Sequence, residues 1–293
     1  EKNKGNIDIS EKSFLEKYGY KNINEITEDY FKYILQKPFP EKITNTNNID
    51  SLLMCKTKNN EYLQDNPPNI VFVLTESMSS YFFKIHSENF NLLGSLENEL
   101  KKCILFKNFV SCRNFTIYTI DGLLINSPLS PISQSKYLNT RFYSALQPFL
   151  DKGYDVEFVT GGRLNWRNLD QFFPRQGFNK LEGGSDIKKY VPDAIEEHEW
   201  GVYDEFLMKR IIQKLHEKRK KPLFIFAITI TNHTPYKTPK NYSPYPIKFN
   251  EQNKKLFKSF DKKTINILTS HQYTCNCIGN LINEVSNSAL SEN

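Results

Sequence analysis

Asn69-Ile70-Val71-Phe72-Val73-Leu74-Thr75-Glu76-Ser77-Met78-Ser79-Ser80 is the stretch on which the reading of the fold turns. Five apolar, mostly β-branched residues follow Pro67-Pro68 and stop at a carboxylate. A run of that length with no polar alternation reads as a strand buried on both faces of a parallel sheet. In open α/β sheets, ligands collect beyond the carboxyl ends of the strands, and Glu76 stands at that end. About forty residues on comes Phe115-Thr116-Ile117-Tyr118-Thr119-Ile120-Asp121-Gly122-Leu123. There a hydroxyl residue opens a helix, whose free N–H groups and dipole favour an anion.

Other strands repeat the pattern of an apolar run ending in polar residues. Residues 144–150 are amphipathic helix, Asp151-Lys152-Gly153 ends it, and 154–160 alternates into a strand followed by Gly161-Gly162. Helix, glycine and strand make the αβ half of a repeating unit. Residues 222–230 form the most apolar strand and run straight into Thr231-Asn232-His233. Three strand ends, after Leu74, Thr160 and Ile230, thus deliver polar residues to one edge, the strongest argument for a site from the residues alone. Further helices are expected over 89–102, 205–218 and 273–285, and a short second strand over 103–109. The expected fold is α/β, a mostly parallel central sheet with helices on both faces.

The chain has 293 residues, 39% hydrophobic, enough for one large α/β domain or two small ones. Mean hydropathy is −0.56, and no apolar run approaches the roughly 20 residues of a transmembrane helix. Residues 1–66 are polar and rich in Asn, Lys and Glu, with helical patches expected over 11–18 and 26–36 and a linker over 44–50. They hold ten basic and eleven acidic residues, so the net charge of +6 comes from the rest. A mildly basic remainder suits anionic headgroups or phosphates, and equally suits no particular partner. No Arg-rich helix, zinc-finger spacing or aromatic RNA-binding motif argues for nucleic acid. The five cysteines, Cys55, Cys103, Cys112, Cys275 and Cys277, imply no disulfide framework at this length; most read as free buried thiols. The chain opens on Glu1 without a signal-peptide pattern and is expected to be a mature form or a piece of something longer.

Pro68-Asn-Ile-Val-Phe-Val-Leu-Thr-Glu-Ser-Met78 paired with Tyr118-Thr-Ile-Asp-Gly-Leu-Leu124 resembles the lipoteichoic acid synthase, sulfatase-like branch of the alkaline phosphatase superfamily. The resemblance continues through Gly161-Gly162, Trp200-Gly201-Val202-Tyr203-Asp204-Glu205 and Thr231-Asn232-His233-Thr234-Pro235-Tyr236, from about Pro68 to the C-terminus. It implies an alkaline-phosphatase-like fold, with 67–293 as catalytic domain and 1–66 as an extension or linker to a membrane part. It implies transfer of phosphoglycerol or phosphoethanolamine from a phospholipid donor to a surface glycan or lipid acceptor, outside the cytoplasmic membrane. Glu76 falls on the family's metal ligand, a hard oxygen donor that favours magnesium or manganese with zinc possible; of these manganese is expected first. Thr119 falls on the nucleophile, itself a metal ligand; it competes with Thr116 but fits the frame of a Thr ahead of Gly-Leu. A threonine hydroxyl is a poor nucleophile until a bound divalent cation turns it into an alkoxide, and the expected intermediate is of the phosphothreonine type. His233 falls on a phosphate-binding histidine. Trp166, Arg167 and Asn168 fall where relatives hold the headgroup, and Arg163 or Arg167 is suited to pairing with a phosphate. Asp204 is expected to be structural, and His86, His198, His216 and His271 to lie at the surface.

Two departures bear on the reading. Cys112-Arg113-Asn114-Phe115-Thr116 lacks the Pro and Arg of the sulfatase Cys-x-Pro-x-Arg pattern, which argues against a formylglycine enzyme. The family completes its metal site with Asp-His-Gly after a further strand, and no Asp-His occurs in these 293 residues. The fold is therefore expected to be truncated at its C-terminus, with a weakened metal site. The rival readings are a phosphodiesterase- or sulfatase-type hydrolase on the same scaffold, and a degenerate non-catalytic fragment.

Overall fold

In a computed structural model, residues 61–106, 113–125, 130–195, 197–257 and 261–292 are described, with Glu25, Lys32, Lys58, Asn60, Phe109, Ser111 and Ser259. The expected patches at 11–18 and 26–36, the linker at 44–50, Cys55 and Cys112 lie outside these residues, apart from Lys32 in the second patch. All the elements below belong to the unit Glu61–Asn293. In chain order they are α1 (Glu61–Asp65), β1 (Ile70–Leu74), α2 (Ser80–Ile85), α3 (Leu96–Leu100), α4 (Thr116–Ile125), α5 (Gln147–Asp151), β2 (Asp155–Thr160), α6 (Leu169–Phe172) and β3 (Lys180–Glu182). Then come α7 (Gly184–Tyr190), β4 (Glu197–His198), β5 (Gly201–Val202), α8 (Asp204–His216), β6 (Leu223–Ile228), α9 (Glu251–Lys254) and α10 (Lys262–Ser286).

The main sheet has the order β1-β6-β2-β3, and every pairing is parallel. β6 is buried at all six residues, as its unbroken apolar run requires of a strand covered on both faces. Alternation sorts its side chains. Phe224, Phe226 and Ile228 join Val156, Phe158, Ile117, Ile120, Phe172, Phe173 and Phe178 beneath α4 and α6. Leu223, Ile225 and Ala227 join Val159, Leu207, Ile211, Tyr273 and Leu281 beneath α8 and α10. Two cores on opposite faces of one sheet are the α/β architecture read from the sequence.

Glu157 and Glu182 also point from β2 and β3 into the α8 face. Lys214 Nζ reaches Glu157 Oε2 at 2.6 Å and Glu182 Oε1 at 2.7 Å, and Arg210 Nε reaches Glu182 Oε2 at 2.8 Å. Burial raises the Glu182 carboxyl, but hydrogen bonds from Arg210, Lys180 and Lys214 outweigh it and hold the group at about 2. Carboxylates that interrupt an otherwise apolar strand are accommodated because α8 brings their counter-charges.

Several expectations are corrected. β1 is half-buried rather than buried on both faces, because among the described residues it forms the sheet edge and leaves Phe72 40% exposed. The helix expected over 89–102 shrinks to α3: Asn91 Oδ1 accepts from the N–H groups of Leu93 and Gly94, and Gly94 turns the chain at φ 54. No strand forms over 103–106; Ile104 and Phe106 are exposed, and the remainder of that segment is described only at Phe109. The helix expected over 273–285 extends back to Lys262, where Asp261 Oδ1 caps Thr264 N–H. Helix α3 crosses it at Gly279, where a Cβ would lie 2.3 Å from Leu96 N. His198 and His271 are buried, not at the surface, whereas His216 is exposed. Of the described cysteines, Cys275 and Cys277 are buried and Cys103 is exposed.

Candidate active site at the carboxyl edge of the sheet

The carboxyl ends of β1, β6 and β2 lie side by side, so the residues that follow them share one edge. After β1, Glu76 N–H donates to Thr229 Oγ1 at 2.8 Å, tying the turn to the residue that follows β6. Ser77 takes a left-handed conformation, φ 51, and its hydroxyl donates to Glu76 Oε1 at 2.8 Å. Asn232 Nδ2 donates to the carbonyls of Glu76 and Ser77, 3.2 Å each, while its Oδ1 accepts from Ser270 of α10 at 2.9 Å. The Glu76 carboxylate is thus held by backbone fixed at both flanks, leaving its side chain to face α4.

Thr116 opens α4, three residues before Thr119. Its Oγ1 donates to Glu76 Oε2 at 2.9 Å. Thr119 Oγ1 instead donates within its own turn, 3.1 Å to Phe115 O and 3.2 Å to Arg113 O. The structure therefore joins Glu76 to Thr116, and Thr119 sits one turn further along the same helix. Back-bonding to the carbonyl four residues earlier is an ordinary local option for Thr, and sequence spacing cannot reveal it.

His233 follows β6 on a loop anchored from beneath. Asp204 Oδ1 accepts from Ile230 N–H at 2.8 Å, both carboxylate oxygens lie 3.3 Å from Thr231 N, and Thr274 Oγ1 donates to Oδ2 at 2.8 Å. Asp204 is fully buried, and desolvation raises its pKa against the pull of these donors. Neither Asp204 nor Asn232 was singled out for the site from sequence. The sequence signals are their places in the stretches at 200–205 and 231–236, and the structural role expected of Asp204 agrees with these bonds. The His233 ring meets Trp200 edge-on at a centroid distance of 4.7 Å.

Trp166, Arg167 and Asn168 form a helical turn after Gly161-Gly162, with Arg167 and Asn168 left-handed at φ 56 and 59. Two consecutive non-glycine residues in that region store strain, which functional sites commonly hold. Arg167 Nη1 donates to Gln134 Oε1 at 2.5 Å and Asn168 Nδ2 to Ser133 O at 3.1 Å, so the turn is bound to the 132–134 segment. Trp166 is 36% exposed and Arg163 is exposed. Among the described residues, no hydrogen bond or ion pair joins these four to the Glu76–Thr116 pair. Among the described residues, no three His, Cys, Asp or Glu side chains are grouped to hold a metal ion. Glu76 and one threonine hydroxyl offer at most three oxygens from two side chains, fewer than a hard divalent ion takes, so the described residues do not make a complete metal site.

The Sulfatase family matches residues 68–293 of this chain. Phosphoglycerol transferase I of Escherichia coli strain 536 is 24% identical over 180 residues, which cover 57% of this chain and 23% of that protein. Among solved structures, a protein of the alkaline phosphatase superfamily from Vibrio parahaemolyticus superposes with a TM-score of 0.60 at 21% identity, over 76% of this chain and 51% of that one. The lipoteichoic acid synthase LtaP from Listeria monocytogenes gives 0.62 at 17% identity, over 76% and 53%. At these identities the likeness is one of fold, and this chain spans about half the length of the two solved structures.

Proposed function

Because this chain belongs to the Sulfatase family and has the fold of the alkaline phosphatase superfamily, we propose that it is the catalytic portion of a phosphotransferase. The reaction moves phosphoglycerol or phosphoethanolamine from a phospholipid to a glycan or lipid of the cell surface, outside the membrane. In this reading 67–293 is the catalytic domain and 1–66 links it to a membrane anchor. No helix among the described residues is long and apolar enough to cross a membrane itself. The observation that carries the reading is the hydroxyl–carboxylate pair at the end of β1, 2.9 Å from Thr116 Oγ1 to Glu76 Oε2.

A threonine oxygen attacks phosphorus and the diacylglycerol oxygen leaves with a proton, giving a phosphothreonine diester that keeps the glycerol or ethanolamine; an acceptor hydroxyl then attacks the same phosphorus, loses its proton and releases the threonine. Family position assigns the attack to Thr119, whose hydroxyl must first leave the carbonyls of Phe115 and Arg113. Geometry supports Thr116 as the alternative, since its proton already points at a carboxylate able to receive it. His233 and the Trp166–Asn168 turn, with Arg163, hold the headgroup. Family resemblance further suggests a divalent ion, manganese ahead of magnesium or zinc, with Glu76 as one ligand; it would need donors beyond those described.

The test supplies phosphatidylglycerol and a soluble oligosaccharide acceptor, with and without manganese, and follows labelled glycerol. Transfer that falls more than a hundredfold in Thr119→Ala but not Thr116→Ala assigns the family nucleophile; the reverse assigns Thr116. Release of glycerol phosphate with no dependence on acceptor would favour the hydrolase. Full transfer in both variants and in Glu76→Gln would sink the reading.

A further inference from the structure

The hairpin β4–β5 lies across the end of β2. At Gly201, φ 148, a Cβ would stand 2.0 Å from Gly161 O, so only glycine permits so close an approach. The hairpin turn carries Glu199 and Trp200 to the loop that follows β6. There Trp200 Nε1 donates to Thr234 O at 2.8 Å and the ring meets His233, yet the residue remains 43% exposed. Glu199 pairs with Lys237 from the same loop, and these side chains are 41% and 58% exposed. The Lys237 ammonium holds the Glu199 carboxyl below its usual value. Beneath them His198 is buried. Its Nδ1 accepts the Trp200 backbone N–H at 3.4 Å, which puts the ring proton on Nε2. Nε2 has no hydrogen-bond partner among the described residues and stands 3.8 Å from Glu199 Oε2.

An exposed ion pair contributes little to stability, and a half-exposed indole contributes less than a buried one. Together they match the chemistry of a sugar ring. The electron-rich indole suits the C–H face of a pyranose. An adjacent carboxylate and ammonium suit two neighbouring hydroxyls, one accepting and one donating. A phosphate would meet the Glu199 charge, and an acyl chain would strip water from the half-exposed Glu199–Lys237 pair and offer it no hydrogen bond. We propose that Trp200 with the Glu199–Lys237 pair, backed by His198, is a subsite for a neutral sugar ring of the acceptor, beside His233. The assignment as acceptor site rests on the transferase reading; the subsite itself does not.

The chain has two tryptophans, so Trp166→Phe leaves Trp200 as the single indole fluorophore. Maltotriose, cellotriose and chitotriose are titrated onto that variant. The expected result is a saturable shift of Trp200 emission with at least one of the three. Adding Glu199→Gln or Lys237→Met should weaken that binding about tenfold, as loss of one charge-assisted hydrogen bond implies. Both substitutions are at exposed side chains and leave the fold intact, unlike Trp200→Ala, which also removes the bond to Thr234. Emission blind to all three sugars overturns the proposal, as does binding unchanged in both charge variants. A shift produced only by phosphatidylglycerol micelles overturns it in favour of a lipid surface. Glycerol 1-phosphate, followed at the His233 ring by NMR, reports separately: no response there counts against the transferase reading and leaves the sugar result standing.

Discussion

Replacing Asp204 tests whether the site loop is held from beneath, as its hydrogen bonds indicate. The carboxylate takes Ile230 N–H at 2.8 Å, Thr274 Oγ1 at 2.8 Å and the longer Thr231 N–H at 3.3 Å. Asp204→Ala strips an acceptor from two backbone N–H groups and a hydroxyl, all in the interior. Each such group left unpaired costs about 1–3 kcal/mol. Against this, removing a carboxyl whose pKa is raised by desolvation relieves part of its burial penalty. The expected net loss is about 3 kcal/mol. Asp204→Asn keeps one acceptor oxygen but turns an NH2 toward a donor, and should lose about 2 kcal/mol. Thr274→Val removes only the hydroxyl and should lose about 1 kcal/mol. Urea unfolding followed by far-ultraviolet circular dichroism measures all three, with the denaturant slope unchanged if only the folded state is affected. A double-mutant cycle of Asp204→Asn with Thr274→Val should show coupling of about 1 kcal/mol. A loss below about 0.5 kcal/mol in Asp204→Ala would refute the reasoning, because the loop N–H groups would then have found water or another partner.

Three further outcomes are expected. Lys214→Met leaves the buried Glu157 and Glu182 with only their Arg and Lys180 partners, and should lower unfolding free energy by about 3 kcal/mol in urea titration. Burial holds the His271 imidazole down at about 4, below its ordinary 6.5. A depressed folded value means the unfolded chain takes the proton first, so stability is full above pH 6.5 and falls by about 3 kcal/mol as pH drops toward 4. His271→Gln should flatten that window in thermal melts across pH. Gly279→Ala drives a methyl to 2.3 Å from Leu96 N, and should lower the melting temperature by roughly 5 °C or more through separation of α3 from α10.

Much of the fold was legible because the deciding signals are local. Continuous apolar runs ending in polar residues marked β1, β2 and β6, and helix–glycine–strand order marked the parallel α/β arrangement. The short elements β3, α7 and the β4–β5 hairpin were missed, since Lys180-Leu181-Glu182 alternates over too few residues to stand out. The helix reading of 89–102 counted leucine spacing correctly, but Asn91 caps the following backbone N–H groups and ends the periodic run.

By itself the sequence determined which residues end the core strands, and so that Glu76, Gly161-Gly162 and Thr231–His233 face one edge of a parallel sheet. Period and punctuation suffice for that, because the loops that leave the carboxyl ends of parallel strands gather at one edge of the sheet. Which hydroxyl meets Glu76 was decided only in three dimensions. Thr116 and Thr119 are one helical turn apart and the family frame favours Thr119, but the start of α4 places Thr116 against the carboxylate while Thr119 bonds back to its own turn. The burial of His198 and His271 was likewise invisible. Nothing near them in sequence differs from a surface histidine; the partners that enclose them, Tyr203 for the one and Phe82 with Leu92 for the other, arrive through the hairpin, α2 and the segment before α3. The Asp204 network has the same origin, since its donors lie 26 to 70 residues away along the chain and only sheet and helix packing bring them together.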